Sequence, residues 1–200
     1  MHADFIPLHH MAQSLTVALG ERDFNTRAHS ERVVGLSAEL AVRLGLEQQE
    51  LDVLALVAQF HDIGKIGIPD RVLYKSTRFE DDDWECMKQH PLIGERIIAA
   101  IGNPVSGAVA RLVRHHHEHF DGSGYPEGLR GTDIPIISRI ISLTDSYDAI
   151  ATPRPYHQPR RHHAILDILE SEAGSKHDPD LMNAFSAVIE KSAMRVPDTG

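Results

Sequence analysis

The sequence predicts an all-α fold, a single compact domain of about seven or eight helices with one Gly/Pro-rich loop. Three observations predict it. Apolar residues recur at spacings of three and four in TRAHSERVVGLSAELAVRLGL, the period of a helix with one buried face. QQELDVLALVAQFHD is apolar around much of its circumference, as a helix running through the core would be. No pair of segments reads as two strands, and no segment repeats.

Taken in order, residues 1–9 read as a leader, 10–195 as the domain and 196–200 as a tail. In the first helix Val33, Leu36, Leu40 and Leu44 form the buried stripe, and Gly45 stops it. The second runs to Gly64 and delivers His61 and Asp62 near its end. FEDDDWECMKQHPLIGERIIAAIG opens on acidic residues that suit a helix N-terminus, and Pro91 breaks it in two. NPVSGAVARLVRHHHEH is a further helix. It runs into DGSGYPEGLRGTDIP, whose five glycines and prolines between Gly122 and Asp133 forbid regular structure. PIISRIISLTDSYDAIA resumes as a helix, and two more lie at 160–173 and 179–193.

Composition narrows the function. With 20 Lys and Arg against 29 Asp and Glu the net charge is -9, so a broad basic surface for polymeric nucleic acid is not expected. A small anionic substrate stays compatible, because a bound divalent cation dominates its local field. Cys86 is the single cysteine, which excludes an internal disulfide and a cysteine zinc cage. The N-terminus carries no secretory signal, and no run of about 18 apolar residues suits a membrane span. A cytoplasmic location and no membrane insertion are expected.

The chemistry lies in the histidines. RHHHEHFD, residues 114–121, holds four imidazoles and two carboxylates. His61 and Asp62 end an apolar helix, where neighbours point about 100 degrees apart and so address different partners. His116 and His117 diverge in the same way. His29 lies near the start of an amphipathic helix, His90 precedes a proline, and Asp145 sits in an apolar helix where it needs a hydrogen-bond partner or a cation. Each alone also reads as an ordinary helix-end or surface residue. As a set, five imidazoles and two carboxylates without a thiolate suit iron, manganese, nickel or zinc, and are too many for one tetrahedral ion. A dinuclear site with Asp62 as the bridge accounts for all seven.

Those residues resemble a known family. TRAHSERV, FHDIGKIGIPD, MKQHPLIGERI, HHEHFDGSGYPEGLRG, IPIISRIISLTDSYDA and RPY occur in the order of an HD-GYP domain, a branch of the HD metal-dependent phosphohydrolases, from about residue 10 to 190. The resemblance implies an all-helical domain whose di-metal, sometimes tri-metal, centre hydrolyses the bacterial messenger cyclic di-GMP. Its ligands match His29, His61, Asp62, His90, His116, His117 and Asp145. Within HHE, His115 and His119 are neighbours and not ligands. Members with a third metal carry a glutamate four residues before the first histidine. Here that place is Asn25, which argues for two ions. RPY is often followed by a basic residue, and here by His157.

The expected chemistry is attack on phosphorus by a hydroxide bridging two cations that Asp62 holds together. Lys65 is the candidate for a non-bridging phosphate oxygen, and Arg154 supplies a forked contact by resemblance. Gly124 is expected close to the nucleotide and Tyr125 to stack on it or hydrogen-bond with it, although Gly122, Gly124 and Pro126 also suit a plain turn. Asp148 resembles a family residue near the substrate, with a role facing a neighbouring helix as the alternative. Other readings are a weakly active module whose GYP loop docks a partner such as a diguanylate cyclase, a hydrolase of another nucleotide such as cyclic GMP-AMP, and a di-iron oxygenase. The regulatory domain that usually accompanies such a domain is not read in this sequence, which either stands alone or is a piece of a longer protein, and a homodimer is left open.

Overall fold

The computed structural model describes residues 5–22, 26–152 and 160–198. Among them ten α-helices form: α1 (Ile6–Gly20), α2 (Thr26–Arg43), α3 (Gln48–Phe60), α4 (Asp70–Leu73), α5 (Asp81–Met87), α6 (His90–Ala99), α7 (Ser106–Arg114), α8 (Ile136–Ala151), α9 (His162–Ser171) and α10 (Pro179–Ile189). Ile63–Gly67 and Gly131–Asp133 are 3-10 turns. The described residues contain no strand, only an isolated bridge between Ala173 and His177. No helix among them is long and apolar enough to cross a membrane.

Helix α3 is the axis of the domain. It packs against α1, α2, α7 and α8, and Leu54, Leu56, Val57, Ala58 and Phe60 are all 0% exposed. Burial of the Leu, Val and Phe side chains among them contributes roughly 1.5–3 kcal/mol each. The expected core position of this segment is therefore met. Helix α8 lies alongside α2, with Ile140, Ile141 and Tyr147 buried, and the buried hydroxyls of Ser37 and Thr144 meet at 2.7 Å between them. That contact sets α2 and α8 side by side, and each carries a candidate ligand.

Several expectations shift. A helix that the sequence reading does not contain, α1, precedes the Val33 helix and begins at Ile6, inside the stretch read as a leader, with Phe5, Leu8 and Ala12 buried. Its period is blurred because Ile6, Met11 and Val17 are exposed on the other side. Val196, read as tail, packs on the core. Leu44 is exposed, since α2 stops at Arg43 and Ala41 takes the inward place. Gly45 ends that helix as expected: its φ is +78°, and the N–H groups of Gly45 and Leu46 donate to Val42 and Ala41. Pro91 does split the acidic segment, into α5 and α6, lying in the first turn of α6 where a missing N–H is tolerated. Gly64 has a different task from the helix stop assigned to it. A Cβ there would lie 1.8 Å from the carbonyl oxygen of His90, so glycine lets the turn after α3 sit against the start of α6.

Candidate metal centre

Three histidines are aimed by one device. Nδ1 of His61 donates to the carbonyl of Ala58 at 2.7 Å, that of His90 to Met87 at 2.8 Å and that of His116 to Val113 at 2.6 Å. Each carbonyl belongs to the last turn of a helix, α3, α5 or α7, where no intrahelical donor remains. The helix end is thus satisfied by the imidazole, and the imidazole is held with its Nε2 lone pair facing inward. Helix α7 ends at Arg114 rather than running on through the histidines, which leaves His115–His117 in a turn and lets His116 fold back on Val113.

The inward atoms form two trios, His29 with His61 and Asp145, and His90 with His116 and His117, the donor atoms of each lying within 4.8 Å of one another. Nε2 of His29 is 3.2 Å from Nε2 of His61 and 3.2 Å from Oδ1 of Asp145, while Nε2 of His90 is 3.3 Å from Nε2 of His116. Donors bound about 2.1 Å from one ion lie roughly 3.0–3.4 Å apart. Asp62 stands between the trios. Its Oδ2 is 3.5 Å from Nε2 of His61 and 3.8 Å from Nε2 of His29, and its Oδ1 is 3.7 Å from Nε2 of His90. All seven side chains expected as ligands meet here. His61 and His116 are 0% exposed, and imidazole lone pairs facing one another in so dry a place lack any partner a cation would not better supply. The residues fit a pair of divalent ions.

Electrostatics separate the two trios. Burial, then the neighbouring imidazoles, lowers His116 to about 3 and drives His117 well down; burial, only partly opposed by Asp62, lowers His90 to about 4. These rings are neutral and ready to ligate. His29 is the reverse: burial lowers it, but hydrogen bonds to Asp145 and Asp148 outweigh that and raise it to about 9. Asp62 and Asp145 stay ionised. Burial favours their neutral forms, yet Lys65 and the imidazoles around Asp62, and the hydrogen bond from His29 to Asp145, hold both below the usual carboxylate range.

The substrate candidates fall in different places. Lys65, in the 3-10 turn after α3, donates to Oδ2 of Asp62 at 2.6 Å with its side chain 22% exposed. Tyr125 stacks on His117 with ring centroids 4.9 Å apart and 28° between planes; burial, and the Asp145 and Asp62 carboxylates, push its hydroxyl above the usual phenol value. Gly124 is used against the protein's own backbone, since a Cβ there would come within 2.2 Å of the His119 nitrogen. Asp148 is buried behind His29, accepting from its Nδ1 at 2.7 Å and from both Nε and Nη2 of Arg32. Both its oxygens accept from neighbouring side chains, as the helix-facing alternative has it. Arg154, with His157 and Asn25, lies outside the described residues.

Two contributors were not singled out from the sequence. Arg32 stands three residues after His29 on α2, one turn along, and forks onto Asp148. Glu118, the last letter of HHE, is buried and accepts the N–H groups of Glu127 at 2.7 Å and Leu129 at 3.0 Å. It pins the loop carrying Gly124 and Tyr125 to the histidine turn. Its place in the motif was the available signal.

Comparisons with known proteins identify the family and the fold. The HD domain family model matches residues 14–181. A cyclic di-GMP phosphodiesterase of Thermotoga maritima is 40% identical over 164 residues, 82% of this chain and 45% of that protein. A 3′3′-cGAMP-specific phosphodiesterase of Vibrio cholerae is 33% identical over 172 residues, 86% of this chain and 33% of that protein. The chain thus spans less than half the length of these relatives. A solved structure of a cyclic GMP-AMP specific phosphodiesterase of V. cholerae shares the fold with a TM-score of 0.71 at 20% identity, covering 92% of this chain and 49% of that one. With two donor trios around Asp62 and HDIGK and GYP at residues 61–65 and 124–126, the chain belongs to the HD domain family, in its HD-GYP branch.

Proposed function

We propose that this domain is a metal-dependent phosphodiesterase that hydrolyses cyclic di-GMP. One observation carries the reading: two inward-facing donor trios with a single carboxylate between them, offering one oxygen to each side. His29, His61 and Asp145 would hold one ion and His90, His116 and His117 the other, with Asp62 shared. The nitrogen and oxygen donors, with no thiolate among them, suit iron, manganese, nickel or zinc, and cellular supply, not the donor set, would make iron or manganese the occupant.

Two divalent cations bound there supply Lewis acidity at a phosphoryl oxygen and a water acidic enough to attack phosphorus. Water adds across the phosphodiester, its oxygen joining phosphorus while the P–O bond to ribose breaks and the ribose oxygen leaves as the alcohol. The chain's own groups position these parts. Asp62 spans the trios, and the ammonium of Lys65 beside it meets a non-bridging phosphate oxygen. Arg154 makes a second phosphate contact by its place in RPY. The ring of Tyr125, fixed on His117, offers a surface for a base. Asp148 and Arg32 keep the imidazole of His29 in one orientation.

The test is turnover of cyclic di-GMP by chain loaded anaerobically with manganese, iron or nickel, with 3′3′-cGAMP run beside it. Metal-dependent hydrolysis of cyclic di-GMP, abolished by chelation, is the expected result. Faster turnover of 3′3′-cGAMP moves the substrate to the other dinucleotide. No hydrolysis of either at full metal occupancy overturns the enzyme reading in favour of a docking module.

A further inference from the structure

The turn that carries Lys65 is a weak element to leave unsupported. It is a 3-10 helix of five residues, Ile63–Gly67, whose hydrogen bonds are less well aligned than those of an α-helix. On its inner side it presses on α6, where a Cβ on Gly64 would meet the His90 carbonyl and one on Gly67 would lie 3.0 Å from the Ile93 side chain. On its outer side the side chain of Arg22 grips it. Arg22, two residues beyond the end of α1 and the first lysine or arginine of the sequence, donates Nη1 to the carbonyl of Ile66. Its Nη2 donates to the carbonyl of Ile68 at 2.7 Å and to Oδ1 of Asp70 at 2.6 Å. The hydroxyl of Tyr74 donates in turn to the Arg22 carbonyl at 2.6 Å, so the arginine's own backbone is tied down from beyond α4.

We propose that Arg22 is a positioning residue for the reaction: by holding the carbonyls of Ile66 and Ile68 it fixes the direction in which Lys65 presents its ammonium. The gripped carbonyls lie one and three residues after Lys65, and the Ile68 N–H donates back to the Lys65 carbonyl at 3.1 Å. The backbone leaving Lys65 is thus held on both faces, by α6 inside and the guanidinium outside. A planar fork reaches two carbonyls together, and an ammonium does not reproduce that. The same arginine joins the end of α1, just before the chain enters α2 and His29, to the turn that follows Asp62.

This inference rests on Lys65 as the phosphate contact, and the test separates the two. In the manganese-loaded chain, kcat and KM for cyclic di-GMP are measured for Arg22→Gln, Arg22→Lys, Lys65→Ala and the double variant Arg22→Gln/Lys65→Ala, with bound metal and thermal midpoint recorded for each. Arg22→Gln is expected to keep wild-type metal and lose roughly 10- to 100-fold in kcat/KM. Arg22→Lys should recover part of that, and in the Lys65→Ala background the Arg22→Gln loss should shrink to less than about threefold. Undiminished loss in that background, loss that tracks metal content, or no loss at all overturns the proposal. Wild-type turnover by Lys65→Ala overturns the Lys65 reading itself, and this inference with it. Should Arg22→Gln not fold, Arg22→Lys replaces it in the cycle, and the proposal then requires its defect to vanish when Lys65 is absent.

Discussion

Oδ1 of Asp62 lies 3.7 Å from Nε2 of His90, on the opposite side of the carboxylate from His61, whose Nε2 is 3.5 Å from Oδ2. One side chain therefore addresses both trios. Removing it in Asp62→Ala is expected to abolish metal-dependent turnover and most metal binding, while far-ultraviolet circular dichroism retains the helical content of the wild type. Wild-type turnover by a metal-replete Asp62→Ala would show that the carboxylate bridges nothing.

Lys65 touches the same carboxylate but is not among the donors. Lys65→Ala should bind metal as the wild type does and lose about a hundredfold in kcat, as loss of a charged contact to the transition state does. Metal analysis alongside steady-state kinetics decides it, and metal lost with turnover would place Lys65 in the metal-holding group instead.

His29 is held in place from behind. Asp148 accepts from its Nδ1 at 2.7 Å and is itself gripped by Arg32. Asp148→Asn should weaken metal binding roughly 10- to 100-fold, the usual cost of losing such an orienting partner, with KM for substrate little changed at saturating metal. A raised KM with metal affinity intact would return Asp148 to the substrate side.

The trios should differ in their response to pH. Burial lowers His29, but Asp145 and Asp148 outweigh it and raise this imidazole to about 9, so below that pH an ion entering the His29 trio must displace a proton. Affinity there should fall about tenfold per pH unit as pH drops below 9. Burial instead holds His90 at about 4 and His116 at about 3, so the other trio needs no such displacement at neutral pH. Titration of manganese at pH 6, 7 and 8 should show one affinity that strengthens with pH and one that hardly moves. Two sites weakening in parallel would contradict this division.

How much of this was legible in the sequence depends on the range of the interaction. His61, His90 and His116 are legible because each is aimed by the carbonyl three residues before it, a local device that leaves its mark as a histidine just past the end of a helix. Asp145 and Asp62 announced themselves as carboxylates in apolar surroundings. Arg32 and Arg22 could not be read in this way, since their partners lie 116 and more than 40 positions away, and surface arginines near helix ends are common. The contacts of Asp148 to His29 and Arg32 are not legible either, because they depend on α2 and α8 lying side by side. Helix α1 as a whole is not legible because exposed Ile6, Met11 and Val17 hide its buried stripe, and Leu44 falls outside the core because a glycine cap ends the helix just before the stripe would continue.

The most direct measurement is the number of manganese or iron ions bound per chain after anaerobic loading and removal of excess, determined by elemental analysis on the wild type and on Asp62→Ala. Two ions in the wild type, with most of that binding lost in the variant, is the expected result. A wild type that holds none or one at saturation, or a variant that still holds two, contradicts a pair of cations joined through Asp62.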